Sequence, residues 1–164
     1  MKRILMALML VAGCGAGGDA GDKADNTAAG AVQAAGLTGL YEGGATTRPN
    51  QMCVIDKGKG EAAFGLVVWG ANLHSCSGAG SVKQEGDKLR LTMAGDQSCT
   101  LEARIEGGVV TLPASVPEGC AYYCGAQAKL GGASLSRKEA TVEGAMKAKD
   151  LVGEPLCGGI SGAP

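Results

Sequence analysis

Lys88-Leu89-Arg90-Leu91-Thr92-Met93-Ala94-Gly95-Asp96-Gln97-Ser98-Cys99-Thr100-Leu101-Glu102-Ala103-Arg104-Ile105-Glu106 decides the fold class of this 164-residue chain. Leu89, Leu91 and Met93 alternate with Lys88, Arg90 and Thr92. After Ala94-Gly95-Asp96-Gln97, Cys99, Leu101, Ala103 and Ile105 alternate with Thr100, Glu102, Arg104 and Glu106. A period of two on both sides of a Gly-Asp turn is a β-hairpin with one buried and one solvated face.

Outward from this hairpin, Glu85-Gly86-Asp87 and Gly107-Gly108 are turns that extend it in both directions, and short apolar runs between turn signals continue to either side. The pattern predicts eight strands, over 37–42, 51–56, 62–69, 76–84, 88–94, 99–106, 109–113 and 128–135. Sequential neighbours usually pair, so the expected architecture is mostly β: a small antiparallel meander closed into a barrel or folded into a sandwich. Near the C-terminus, Ser136-Arg137-Lys138-Glu139 fits a capping box, with Val142 and Met146 at helical spacing beyond it. One helix is expected over 140–151. Gly144 weakens it by about 1 kcal/mol relative to alanine, so it depends on docking against the sheet.

Upstream of the strands, Met1-Lys2-Arg3 precedes an apolar run over 4–12 and the small residue Gly13. This is the layout of a secretory signal over 1–13, and a nine-residue run is far short of the roughly 20 residues that span a bilayer. The segment 14–36 is Gly/Ala-rich and reads as a flexible tether, spanning about 25 Å as a random coil. Residues 37–164 form a single domain.

The residues Val11-Ala12-Gly13-Cys14 resemble the lipobox of bacterial lipoproteins. The resemblance implies cleavage before Cys14, attachment of diacylglycerol to its thiol and a further acyl chain, such as palmitate, on the new N-terminus. Each buried methylene adds about 0.8 kcal/mol, and two or more chains anchor stably to membrane lipid. Gly15 in place of an Asp after that cysteine implies sorting to the outer membrane, with the domain facing the periplasm.

The chain carries 15 basic and 16 acidic residues, a net charge of −1. Loss of Lys2 and Arg3 would leave 13 against 16. There is no basic field for nucleic acid, which is excluded as a partner.

Without Cys14, six cysteines remain: Cys53, Cys76, Cys99, Cys120, Cys124 and Cys157. An even set in an exported chain predicts three disulfides. The expected pairing is Cys53 with Cys76, Cys99 with Cys120 or Cys124, and the remaining one with Cys157. His74-Ser75-Cys76 and Cys120-x-x-x-Cys124 carry zinc-ligand types, but exported thiols oxidise and no paired C-x-x-C knuckle accompanies them. The second pair is also one residue too wide for a redox C-x-x-C. No metal and no cofactor is expected.

His74 is the sole histidine, and neither G-x-S-x-G nor S-x-x-K is present. It reads as a loop residue held by local hydrogen bonds. Among the carboxylates that could form a glycosidase pair, Asp96, Glu102 and Glu106, the last two fall on the solvated strand face. No catalytic residue is assigned and the chain is read as a non-enzyme. The candidate binding residues are Tyr122 and Tyr123, set between two half-cystines, with Trp69 and His74. Rigid tyrosines are good contact residues. Each aromatic also has a structural role open to it, as core filler or as a lid on the barrel.

The stretch Leu37-Thr38-Gly39-Leu40-Tyr41-Glu42 resembles the first strand of calycin-type barrels, in which a Gly-x-Trp or Gly-x-Tyr seals one end. In size, anchor and cysteine use the chain is similar to small lipid-anchored periplasmic inhibitors of lysozyme and of secreted proteases. The resemblance implies a non-catalytic module that binds an envelope protein, a glycan or an exogenous hydrolase. A structural envelope lipoprotein without a discrete ligand, and an envelope hydrolase, are the alternatives. Oligomeric state is not readable.

Overall fold

In the computed structural model, Leu91 faces Leu101 and Leu89 faces Ala103, in the register the alternation requires. The structure describes residues 36–160. The signal segment, Cys14 and all of the tether except Gly36 lie outside the described residues. The hairpin belongs to a run of eight strands: β1 (Gly39–Ala45), β2 (Arg48–Gly58), β3 (Glu61–Trp69), β4 (Ser75–Glu85), β5 (Lys88–Met93), β6 (Thr100–Glu106), β7 (Val109–Thr111) and β8 (Ser134–Glu139). Each pairs antiparallel with the next, and β8 returns to β1, so the sheet is a closed barrel.

Seven strands lie at their predicted positions, while the eighth, expected over 128–135, is displaced toward the C-terminus and shares only Ser134 and Leu135 with that expectation. Residues 128–133 are loop, and the Ser136-Arg137-Lys138-Glu139 segment read as a capping box is strand. Ser136 pairs with both Val109 and Glu42, and Arg137 pairs with Tyr41. Closing the ring satisfies two ladders at once, and that tertiary gain overrides a local helix signal. The expected helix over 140–151 shrinks to α1 (Val142–Ala145), capped by Thr141, whose hydroxyl accepts the Gly144 N–H at 3.0 Å.

The lumen is filled by Tyr41, Met52, Phe64, Leu66, Leu89, Leu91, Met93, Leu101 and Leu135, all buried. A second, smaller core lies outside the ring. There, Ala145, Ala148 and Cys157 of the C-terminal segment pack on the outward-facing Leu40, Cys53 and Ile55. This strap explains why Ala62 to Val68 are buried without alternation: β3 is covered on both faces. Gly65 makes room for it, since a Cβ there would lie 2.8 Å from Leu156 and 3.1 Å from the Cys53 sulfur. Elsewhere the outer face carries exposed pairs such as Lys83–Glu61 and Arg90–Glu102. Apolar inside and charged outside is the reverse of a membrane-spanning barrel.

Three disulfides form: Cys53–Cys157, Cys76–Cys124 and Cys99–Cys120. The last is one of the expected pairings. Cys53–Cys76 is not formed, nor is a bridge from Cys124 to Cys157, and strand parity gives the reason. Cys53 lies opposite Gly65 and points out of the barrel, whereas Cys76 lies opposite Val68 and points in. Two cysteines on opposite faces of one sheet cannot meet.

Because the strands alternate in direction, the connections divide between two ends. At one, called the turn end here, β2–β3, β4–β5 and β6–β7 are joined by two-residue turns. Lys59 and Gly60 (φ 58° and 79°) and Gly107 and Gly108 (φ 56° and 80°) adopt the left-handed conformation such hairpins need. The chain also enters the barrel here. The Tyr41 hydroxyl donates to the Leu37 carbonyl at 2.7 Å, and Arg137 lies over the Tyr41 ring at 5.7 Å and donates to the Gly36 carbonyl. Burial pushes the Tyr41 phenol above its ordinary pKa, with Arg137 opposing the rise. At the other, the loop end, lie the connections 46–47, 70–74, 94–99 and 112–133.

A candidate binding surface at the loop end

The connection 112–133 is long for a compact domain, and long ordered loops are often functional. It is rigidly held. Leu112 and Leu130 enter the lumen cluster and close the barrel mouth from within. A 3₁₀ turn over Glu118–Tyr123 follows Pro117 and is stapled at Cys120 to Cys99. Next, Cys124 is stapled to Cys76, the Gly125 N–H donates to the Ser75 carbonyl at 2.9 Å, and the Ala71 N–H donates to the Gln127 carbonyl at 3.1 Å. The loop is thereby tied to β4, to the β3–β4 connection and to the β5–β6 connection.

The four candidate binding residues all lie at this end, in different roles. Tyr122 is 85% exposed. Tyr123 is half-buried, edge-on to Tyr122 at 5.5 Å between centroids, and is packed beside Met93, Gly78 and Gly95. Its hydroxyl is buried without a hydrogen-bond partner among the described residues. Tyr123 is core filler and Tyr122 is the displayed member. His74 is half-buried with Nδ1 close against Gly125, its N–H donating to the Ala71 carbonyl and its carbonyl accepting from Gly70, which is local bonding within its loop. Trp69 is partly exposed on the rim. Its backbone N–H donates to the Asn50 side chain at 2.8 Å, and Arg48 lies over its ring at 4.8 Å.

Pattern reading passes over three further residues. Leu73 is 68% exposed, and it follows Asn72 in the left-handed region, at φ 65° after 50°. A leucine in that conformation costs roughly 1–2 kcal/mol. Strain of this kind persists where its surroundings over-determine it, often at a functional site. The available signal is a leucine set among turn residues, Gly70-Ala71-Asn72-Leu73, where no strand can carry it inward. Leu151 (50% exposed) and Val152 (82%) form the second apolar tip, on the strap. Asp150 builds their turn by accepting the N–H groups of Val152 and Glu154 at 2.9 and 2.8 Å.

Two open grooves flank Trp69. One, of about 590 Å³, runs between Asn50, Trp69 and the backbone of 126–133, with Gln127 and Lys129 on its wall. The other, of about 490 Å³, is formed by Arg48, Trp69, Leu73, Ser75 and Leu151. Among the described residues, neither is lined by an acidic one. The Asn72 amide donates to the Gln127 side chain at 2.7 Å and bridges the β3–β4 connection to the long loop.

The carboxylates weighed as a catalytic pair are not brought together. Glu102 is paired with Arg90 on the outer face, Glu106 ends its strand at the turn end, and Asp96 lies in a loop-end turn. The Ser98 hydroxyl and N–H hold the Asp96 carboxyl below its ordinary pKa. Cys76, Cys120 and Cys124 are consumed by disulfides and offer no thiolate beside His74. Among the described residues no group of three or more His, Cys, Asp or Glu is gathered.

No family model, curated protein or solved structure matches this chain.

Proposed function

We propose that the chain is a membrane-anchored, non-catalytic periplasmic lipoprotein that presents the loop end of its barrel to an envelope protein, a glycan or an exogenous hydrolase. The observation that carries this reading is the polarity of the barrel. The chain enters at the turn end, while the exposed apolar side chains Leu73 and Tyr122 and the partly exposed Trp69 stand at the opposite end. A tether over 14–36 would join the barrel at the turn end, where Gly36 lies, so the chain's own entry leaves the opposite face uncovered. Two disulfides and a filled lumen keep the surface preformed, which lowers the ordering cost of binding.

Two measurements test the reading. Detergent phase partitioning of the mature chain should follow lipid, and Cys14→Ser should move it to the aqueous phase. Photo-crosslinkers placed at Leu73 and Tyr122 should trap one partner in native envelope, with that product lost on truncating the neighbouring tip. Equal crosslinking from Lys59 and Lys88 at the turn end would overturn the assignment of the face.

A further inference from the structure

We propose that the larger groove beside Trp69 is a subsite for a short acidic saccharide, a sugar bearing a carboxylate. This deepens the binding-module reading and rests on it.

The groove combines three chemistries. Trp69 supplies a partly exposed indole, held in place by its backbone bond to Asn50 and by Arg48 stacked on the ring. A flat aromatic face suits the C–H face of a sugar ring, to which a charged peptide offers no counterpart. Around it stand carboxamides: Asn50, fixed by the Trp69 N–H, and Gln127, fixed by Asn72. Their oxygens already accept from the Trp69 N–H and the Asn72 amide, which leaves the two NH₂ groups as donors for hydroxyl and carboxylate oxygens. Gly131 and Gly132 leave the far wall as bare backbone, with further polar groups and no side chain in the way.

Charge then selects among saccharides. Lys129 lies on the wall and Arg48 on the opposite side of the indole, and among the described residues no acid lines either groove. Both cations are exposed and neither takes part in an ion pair among the described residues. The surrounding protein is mildly acidic, so a cationic groove is a local departure from its average. At about 590 Å³ the groove is within the size range of small-molecule sites, and it is open and half polar, as suits a hydrophilic ligand.

Trp69 is the sole tryptophan, so the intrinsic fluorescence of the full chain carrying Cys14→Ser reports on the two grooves that flank it, and the Lys129 and Gln127 variants below assign the signal to the larger one. Titration with trigalacturonate should give a saturating change below about 1 mM, with maltotriose at least about ten-fold weaker and the affinity falling as salt rises. Galacturonic acid, run beside the trimer, separates a free acidic sugar from a polymer end as the source. Calorimetry on Lys129→Gln and Gln127→Ala, both exposed positions, should show a loss of about ten-fold with an unchanged melting temperature. No change up to about 10 mM trigalacturonate, or full binding by both variants, overturns the proposal. A response to triglutamate equal to that of trigalacturonate also overturns it, in favour of an acidic peptide groove. Crosslinks from Leu73 and Tyr122 that persist while saccharide titrations fail would reject the ligand class and leave the binding-module reading standing. Loss of both rejects both.

Discussion

The two ends of the barrel close by different means. At the turn end the backbone does the work: two-residue hairpins with left-handed residues, a glycine at Gly39 where a Cβ would lie 2.0 Å from the Glu139 carbonyl, and Tyr41 plugging the mouth beneath Arg137. At the loop end, 22 residues separate β7 from β8, and covalent bridges replace backbone geometry. The difference teaches where sequence is free to serve recognition. Tight turns leave little choice of residue. Stapled loops tolerate an exposed tyrosine, a strained leucine and a half-bare tryptophan, because their conformation is set elsewhere.

Four substitutions separate the two strategies, taken from the largest effect downward. Tyr41→Ala empties the plug of the turn end and should cost about 3–5 kcal/mol, read as a fall in the denaturation midpoint. Replacing Cys99 and Cys120 together by alanine opens a 21-residue separation and should cost about 3 kcal/mol. Here hydrogen exchange should quicken across 112–133 and stay slow at Ile105 and Arg137, whose N–H groups donate to the turn carbonyls of Asp87 and Gly108; uniform acceleration would mean that the two ends are not independent. Gly107→Ala forces a side chain into the left-handed region and should cost about 1–2 kcal/mol, with no effect on loop-end crosslinking. Leu73→Gly should act in the opposite sense, raising stability by about 0.5–1 kcal/mol once glycine's own entropy is counted, while weakening partner capture.

A pH titration sharpens the contrast further. The Tyr41 phenol ionises at higher pH in the folded protein than in the unfolded chain, chiefly because burial disfavours its anion. Its contribution is therefore complete below about pH 10 and declines as pH rises beyond it, because the unfolded chain releases the proton first. Tyr41→Phe should flatten that alkaline decline and cost about 1 kcal/mol at neutral pH through the lost bond to Leu37. Crosslinking at the loop end should be unaltered in this variant.

Most of the ring was legible because its strands are half-solvated. Lys88 to Glu106 alternate so regularly that face, register and turn follow from side-chain identity alone. Legibility fails where tertiary closure decides. Ser136 to Glu139 carry a local helix signal, and only the need to pair with β1 and β7 together makes them a strand. The disulfide partners were hidden for a related reason, since the inward or outward parity of Cys53 and Cys76 emerges only once β2, β3 and β4 are in register. In the candidate site, Tyr122 and Trp69 announce themselves as rare aromatics. Arg48, Leu73 and Leu151 do not, because their meaning comes from proximity across 103 residues of chain, from Arg48 to Leu151.

The unbroken ladder from β1 round to β8 has a consequence for how partners are read. An open sheet can recruit a peptide by strand addition, borrowing unpaired N–H and C=O groups at its margin with little regard for side-chain identity. A ring has no margin to lend. Whatever engages this protein must therefore be met by side chains and loop backbone at the barrel's ends and outer surface rather than by a free strand edge. Copies crowded side by side would likewise lack the backbone valences that let neighbouring sheets zip into fibrils.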